Sequence, residues 1–109
     1  MVQQEKRAAP RVKLRGPTEY RNSGIEGHGT VWDISASGAL IEDASALIEQ
    51  GERIGLRSSF FPGSFDIELR ADVVRHTETG FAVQFVELDA PQIDFLRRVL
   101  PGTAAAALD

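Results

Sequence analysis

The sequence predicts an all-β fold with one helix: a six-stranded antiparallel β-barrel followed by a C-terminal α-helix. Between residues 11 and 85, apolar and polar residues alternate in short segments, as half-buried strands require. Clusters of Gly, Pro, Asn and Ser separate these segments, as turns do. From residue 89 the apolar residues follow a helical period instead. A closed barrel is favoured over a sandwich because closure leaves no sheet edge unpaired.

Six segments carry the strand pattern. Val12 and Leu14 alternate with basic residues in the first, and Phe65–Asp72 has the most regular alternation in the chain. Other segments are rich in the β-branched and aromatic residues that strands favour. The predicted strands are residues 11–15, 30–34, 39–41, 54–60, 65–72 and 81–85. Residues 44–50 predict one short helical turn that ends at Gly51.

The helix is predicted from residue 89 to the Pro101-Gly102 pair, which ends it. Asp89 is suited to cap the first turn, and Gln92 completes a capping box. Pro91 falls in the first turn, where its missing N–H costs little. We expect one apolar stripe at helical spacing to cover an end or flank of the barrel, formed by Ile93, Leu96, Val99 and Leu100.

The composition fits one small domain. The chain has 109 residues, of which 42% are hydrophobic and 26% charged, which excludes a wholly disordered protein. It has no cysteine, so disulfides and thiolate metal sites are excluded. No apolar run reaches the roughly 18 residues of a membrane helix, and the first residues lack a secretory pattern. We expect a cytoplasmic protein with a flexible basic arm (1–10), a barrel domain with its helix (11–102) and a disordered tail (103–109).

Charge is distributed unevenly along the chain. The formal net charge of −4 argues against a general nucleic-acid coat protein. Residues 1–21 hold six basic and two acidic side chains, a net +4, whereas residues 22–109 carry −8. A basic arm on an acidic body indicates either an anionic ligand or docking of the arm onto its own domain. A solvated tail that aids solubility is the alternative.

The sequence does not predict an enzyme. It has neither a phosphate-binding glycine loop nor a nucleophile elbow. His28 and His76 are the only imidazoles and lack the spacing of a zinc pair. Nothing in the sequence orients His28, Asp33 and Ser35 as a catalytic triad. We therefore assign no catalytic residue, no metal site and no cofactor.

Two short motifs remain. Arg7 and Arg11 form Arg-x-x-x-Arg before the first predicted strand, a spacing that ten arginines produce about once by chance. Asp33, Ser35 and Gly38 form Asp-x-Ser-x-x-Gly, which this composition produces by chance only about 0.04 times. The simplest explanation is a turn whose side chains cap backbone amides and whose Gly38 has a positive φ. A rigid turn can also point polar groups toward a ligand.

Together, and in this order, the two motifs resemble those of the PilZ domain, a bacterial family that binds the second messenger cyclic di-GMP. The segment Gly80–Phe85 is similar to the family's last strand, and the resemblance covers roughly residues 5–100. It implies the same PilZ-like barrel and helix, and a receptor rather than an enzyme. It also implies that cyclic di-GMP is bound by Arg7, Arg11, Asp33, Ser35 and Gly38.

These residue types suit such a ligand. A guanidinium donates two hydrogen bonds to guanine O6 and N7 and stacks on flat bases, so Arg7 and Arg11 fit guanine edges, phosphates or both. An ionised Asp33 accepts from the N1–H and N2–H₂ donors of guanine. Ser35 can donate to a phosphate or base oxygen. Gly38 lets the backbone approach the ligand without a Cβ clash.

Four more residues are candidates for ligand contact: Lys6, Ser37, Arg75 and His76. Many family members have arginine where Lys6 stands, and that arginine is linked to binding a stacked ligand dimer. Lysine keeps the charge but loses the planar fork, so one or two bound ligand molecules stay open. For Arg75 and His76, an ordinary surface position on a strand is the alternative.

Neighbouring residues are expected to have structural roles. Trp32 alternates with Asp33, so we expect it to face the other side of the sheet and pack in the core. Three basic residues are expected on solvated strand faces: Lys13, Arg15 and Arg21.

Three functions are compatible with these features. In the first, a receptor orders its N-terminal arm over cyclic di-GMP, and a partner protein reads the new surface. The second is a PilZ-like interaction domain that binds no nucleotide, as in family members that lack the motifs. The third, a barrel binding single-stranded RNA, needs a positive groove and several exposed aromatics, which the acidic body does not favour. We expect the first, with a downstream protein partner, no nucleic acid and no membrane insertion.

Overall fold

Six antiparallel strands close into a barrel, and one helix follows them. The computed structural model describes residues 11–58, 67–100, 102 and 108. Its elements are β1 Gly16–Arg21, β2 Glu26–Ile34, β3 Gly38–Glu42, β4 Arg53–Ser58, β5 Leu69–His76, β6 Phe81–Phe85 and α1 Ala90–Val99. The order around the barrel is β1-β2-β3-β6-β5-β4, and β4 pairs back to β1. The predicted fold class is confirmed.

The barrel interior is filled by the apolar side chains of alternating strand residues. Ile54 and Leu56 of β4 are almost completely buried, whereas Arg53 at the start of the same strand is exposed to solvent. Tyr20 and Phe81 meet edge to face at the centre, with ring centroids 5.1 Å apart. Burying a large apolar side chain contributes about 1.5–3 kcal/mol, so this interior makes the barrel a stable support for its surface.

Helix α1 begins with the predicted capping box. The N–H of Gln92 donates to Asp89 Oδ1 (3.1 Å), and the N–H of Asp89 donates to Gln92 Oε1 (2.8 Å). The buried stripe differs from the prediction, because Phe95 is buried and Ile93 only half-buried. Gln92 Nε2 donates to the carbonyl oxygen of Glu68 (2.7 Å), which turns the Gln92 and Phe95 side of the helix toward the barrel. In the described part of the chain, no helix has the length and apolarity to cross a membrane.

The first strand begins later than predicted. Residues 11–15 do not form it, and β1 starts at Gly16. Thr18 and Tyr20 supply its buried side chains. The sequence did not predict a strand at Gly16 and Pro17, because both residue types are depleted from strands. Residues 11–15 instead lie along the end of β2.

The predicted helical turn over residues 44–50 is wrong. Its first backbone N–H groups bond elsewhere in the barrel: Ala44 N–H donates to Thr79 O (2.9 Å), and Ser45 N–H donates to His28 O (2.8 Å). Ile48, in this segment, is fully buried and is part of the hydrophobic core. The predicted turn residue Gly51 does have a positive φ, of 92°. Tertiary hydrogen bonds therefore replaced the local helical ones.

β5 extends beyond the predicted 65–72, as far as His76. A bulge between Val73 and Arg75 interrupts the alternation there, which concealed the extension from sequence reasoning. Residues 59–66 lie outside the described residues, and they include parts of the fourth and fifth predicted strands. The segments predicted for β2, β3 and β6 all lie within those strands.

Candidate ligand-binding site beside β2

The segment before β1 presents a row of basic side chains on the outside of the barrel. Val12 and Ile34 exchange backbone hydrogen bonds of 2.9 and 3.0 Å, which fix this segment antiparallel to the end of β2. Val12 and Leu14 pack against the core. Arg11 and Arg15 fall on the alternate positions and are exposed. The predicted alternation therefore orients these side chains correctly, although the segment is not a strand.

Arg11 forms an ion pair with Asp33. The Nη1 of Arg11 donates to Oδ1 of Asp33, and the two side chains are 41% and 23% exposed. Exposed ion pairs contribute only about 0.2–1 kcal/mol, so this contact is a weak part of the fold. It brings together one residue from each predicted motif, and both are accessible to a ligand.

Ser35 holds the turn that follows Asp33. Its Oγ accepts from the N–H groups of Ser37 (3.1 Å) and Gly38 (3.2 Å), and the residue is only 2% exposed. The N–H of Ser35 donates to Gly38 O at 2.8 Å. Ser35 therefore has the capping role that turn chemistry predicts. Ser37 is half-exposed, with its Oγ 3.1 Å from that of Ser35.

Gly38 is required by the neighbouring strand. A Cβ at this position would lie 2.1 Å from the carbonyl oxygen of Val83 in β6. The predicted positive φ of Gly38 is wrong, since among the described glycines Gly51 is the one with that geometry. Gly38 is buried against β6, so close packing of the two strands explains the glycine.

A bulge in β2 turns Trp32 outward. Val31 pairs with Ile41 and Asp33 pairs with Leu40, so Trp32 is the extra residue between them. The expected position of Trp32 in the core is wrong: it is 38% exposed. Trp32 and Asp33 therefore both lie on the outer face, which simple alternation excludes.

Arg15 lies over the ring of Trp32. Its Cζ is 4.2 Å from the ring centroid, within the range of a cation–π contact. Sequence reasoning treated Arg15 as a solvated strand residue and missed this contact. The Arg-x-x-x-Arg spacing recurs from Arg11 to Arg15, but it also recurs from Arg53 to Arg57, so the spacing alone did not single out Arg15. We call Arg11, Arg15, Trp32 and Asp33 together the Asp33 site.

Comparison with known proteins places this fold in a family. The PilZ domain family matches residues 5–101. The chain belongs to the PilZ domain family. PilZ domains are regulatory and receptor domains of a family that binds cyclic di-GMP, and no catalytic family is indicated.

Two solved structures share the fold of this PilZ domain. The PilZ domain of CeSA from a cellulose-synthesizing bacterium is 21% identical with a TM-score of 0.66, covering 84% of this chain and 95% of that one. The Bacillus subtilis inhibitor of motility MotI/DgrA is 18% identical with a TM-score of 0.64, covering 86% of this chain and 49% of that one. No match was found among curated proteins.

The other candidate contacts of this PilZ domain lie apart from Asp33 or outside the described residues. Cross-strand pairing places Arg75 in one row with Asp33, separated by β3 and β6. Three strand spacings amount to about 14 Å along the surface, so Arg75 is near Asp33 but not in contact with it. His76 Nε2 lies 2.6 Å from the carbonyl oxygen of Ile48, a tertiary hydrogen bond between β5 and the segment before β4. Two predicted contacts, Lys6 and Arg7, lie outside the described residues.

A cavity of about 430 Å³ lies elsewhere on this PilZ domain, against β1, β2 and β4. Its lining mixes charges of both signs, including Glu19, Arg21, Glu26 and Arg57. Arg21 also pairs with Glu68 at 3.2 Å. Because the lining contains no residue of either motif, the cavity is separate from the Asp33 site.

Proposed function

We propose that this PilZ domain is a cyclic di-GMP receptor that signals by presenting a changed surface to a partner protein. The contact between Arg11 and Asp33 carries the proposal. It joins on one outer surface a guanidinium and a carboxylate, the two groups that recognise complementary edges of guanine. Membership of a family that binds cyclic di-GMP supports this ligand.

The ion pair leaves both side chains able to bind a base. A carboxylate has about four lone-pair positions, so Asp33 can keep Arg11 on Oδ1 and still accept from guanine N1–H and N2–H₂. A guanidinium has five N–H donors, of which the bond to Asp33 uses one. The other donors of Arg11 can bind guanine O6 and N7 or a phosphate oxygen.

Ordering of the arm is the proposed signal. Arg11 is already held beside β2, because its neighbour Val12 is hydrogen-bonded to Ile34. The ordering step therefore concerns residues 1–10, where Lys6 and Arg7 supply positive charge. In this mechanism the phosphates of a ligand in the Asp33 site attract that charge, and the partner protein binds the resulting surface.

Calorimetric titration of the full chain tests the proposal. We expect binding of cyclic di-GMP and weaker binding of cyclic di-AMP, because adenine lacks the N2–H₂ donors and the O6 acceptor that the site reads. Arg11→Ala should weaken binding about 10- to 150-fold, the equivalent of one charge-assisted hydrogen bond of about 1.5–3 kcal/mol. Asp33→Asn should reduce the preference for guanine.

Arg21→Ala is the matched control, since Arg21 is exposed, paired with an acid and outside the Asp33 site. It should bind within about threefold of the parent protein, as expected for a distant surface charge under screening. Parent-like affinity in both Arg11→Ala and Asp33→Asn would exclude this site. Absence of any binding by the parent protein would exclude the proposed function.

One observation favours a second function, an interaction domain that binds no nucleotide. Asp33 already has a partner in Arg11, and the Oγ of Ser35 is occupied within its turn. In that case both motifs stabilise the surface that a protein partner contacts. The titration separates the two functions, because only the receptor gives heat with cyclic di-GMP.

A further inference from the structure

We propose that Arg15 and Trp32 form a stacking platform for one purine base of the ligand, next to the edge-reading pair of Arg11 and Asp33. The inference rests on the proposed function and adds two residues that lie outside both motifs. It starts from Trp32, which is 38% exposed and is the single tryptophan of the chain.

The bulge in β2 creates the juxtaposition. It puts Trp32 and Asp33 on the same outer face, opposite Leu40. The segment before β1 runs antiparallel to them, so Arg11 meets Asp33 and Arg15 meets Trp32. A charged pair and a stacked pair therefore lie side by side along one strand end.

The chemistry of the stacked pair suits a base. A guanidinium is planar and weakly hydrated, and it stacks on aromatic rings through either face. With the indole 4.2 Å from Arg15 Cζ on one side, the opposite face of the guanidinium is suited to receive a purine. Trp32 thus positions Arg15, and Arg15 adds positive charge beside the ligand phosphates.

The Arg11–Asp33 pair and the Arg15–Trp32 pair are expected to have different effects on ligand binding. Hydrogen bonds to base edges distinguish guanine from adenine, so Asp33 governs selectivity. Stacking does not distinguish one base from another, because every base has a π face. Loss of the platform should therefore lower the affinity for cyclic di-GMP and cyclic di-AMP by the same factor. Asp33→Asn should change the ratio of the two affinities.

Titrations of the full chain with cyclic di-GMP test the platform. We expect Trp32→Leu and Arg15→Lys each to weaken binding about 5- to 150-fold, the range for one stacked base. Trp32→Phe retains a ring and should lose less than about fivefold. Lys13→Gln removes a neighbouring exposed charge without touching the stack and should stay within about threefold.

Fluorescence gives a second measurement on the parent protein. Its emission comes chiefly from Trp32, so ligand binding should change it, and Arg15→Lys should reduce that change. Thermal unfolding checks that each variant is folded. Parent-like affinity in Trp32→Leu and Arg15→Lys, with affinity lost in Asp33→Asn, would overturn the platform and leave the proposed function standing. If the parent protein does not bind cyclic di-GMP, both proposals are overturned.

Discussion

The Gly38→Ala substitution separates a structural role of the second motif from a role in ligand contact. An alanine Cβ would lie 2.1 Å from Val83 O and 3.3 Å from Gln84 Cα. Both atoms belong to the backbone of β6, which pairs with Gly38 in the sheet, so no flexible side chain can move aside. Forcing extra volume into a packed region costs about 1–3 kcal/mol. In a domain of this size that cost corresponds to a fall in Tm of about 4–24 °C.

Urea unfolding followed by tryptophan fluorescence measures this cost. Gly24→Ala is the matched control, because a Cβ at Gly24 meets nothing within 4 Å. Its free energy of unfolding should stay within about 0.5 kcal/mol of the parent value. If Gly38→Ala unfolds at the parent urea midpoint but no longer binds cyclic di-GMP, the packing argument is refuted. Gly38 would then act on the ligand.

Three further substitutions test the support of the site. Ile48→Ala removes a fully buried side chain and should lower the free energy of unfolding by about 2–5 kcal/mol in urea titration. Tyr20→Phe removes the hydroxyl that donates to Ala46 O and accepts from Ala46 N–H (3.1 Å). Leaving these groups unpaired should cost about 1–3 kcal/mol, and an unchanged Tm would contradict the assigned bonds. Asp89→Ala removes the helix cap that accepts from Gln92 N–H and should cost about 1 kcal/mol, whereas Asp89→Asn should recover most of it in the same assay.

Alternation predicted the strands well where the backbone is regular and failed where it is not. The segments predicted for β3 and β6 lie within the observed strands, because those strands keep a period of two. A bulge adds one residue to a strand and so shifts the alternation of inward-facing and outward-facing side chains. The pattern of apolar and polar residues does not show where a bulge occurs. For this reason Trp32 was expected in the core but lies outside, and Val74 at the second bulge is 41% exposed.

The geometry of the candidate site was predicted in part. Asp33 and Arg11 were chosen from two motifs 22 residues apart, and the structure brings them into contact. Ser35 was correctly recognised as a turn residue, because a serine hydroxyl caps nearby amides whatever the tertiary structure. The contact of Arg15 with Trp32 was missed because the two residues meet only through antiparallel packing of the segment before β1.

The sequence alone determined the fold class, the capped helix and the residue types available for an anionic purine ligand, because these follow from local periodicity, turn chemistry and side-chain functional groups. Tertiary structure alone decided which of these residues share a surface. Closure of the barrel set the register between strands, and one extra residue in β2 turned Trp32 to the same face as Asp33. That register depends on contacts between residues far apart in the chain, so no local pattern encodes it.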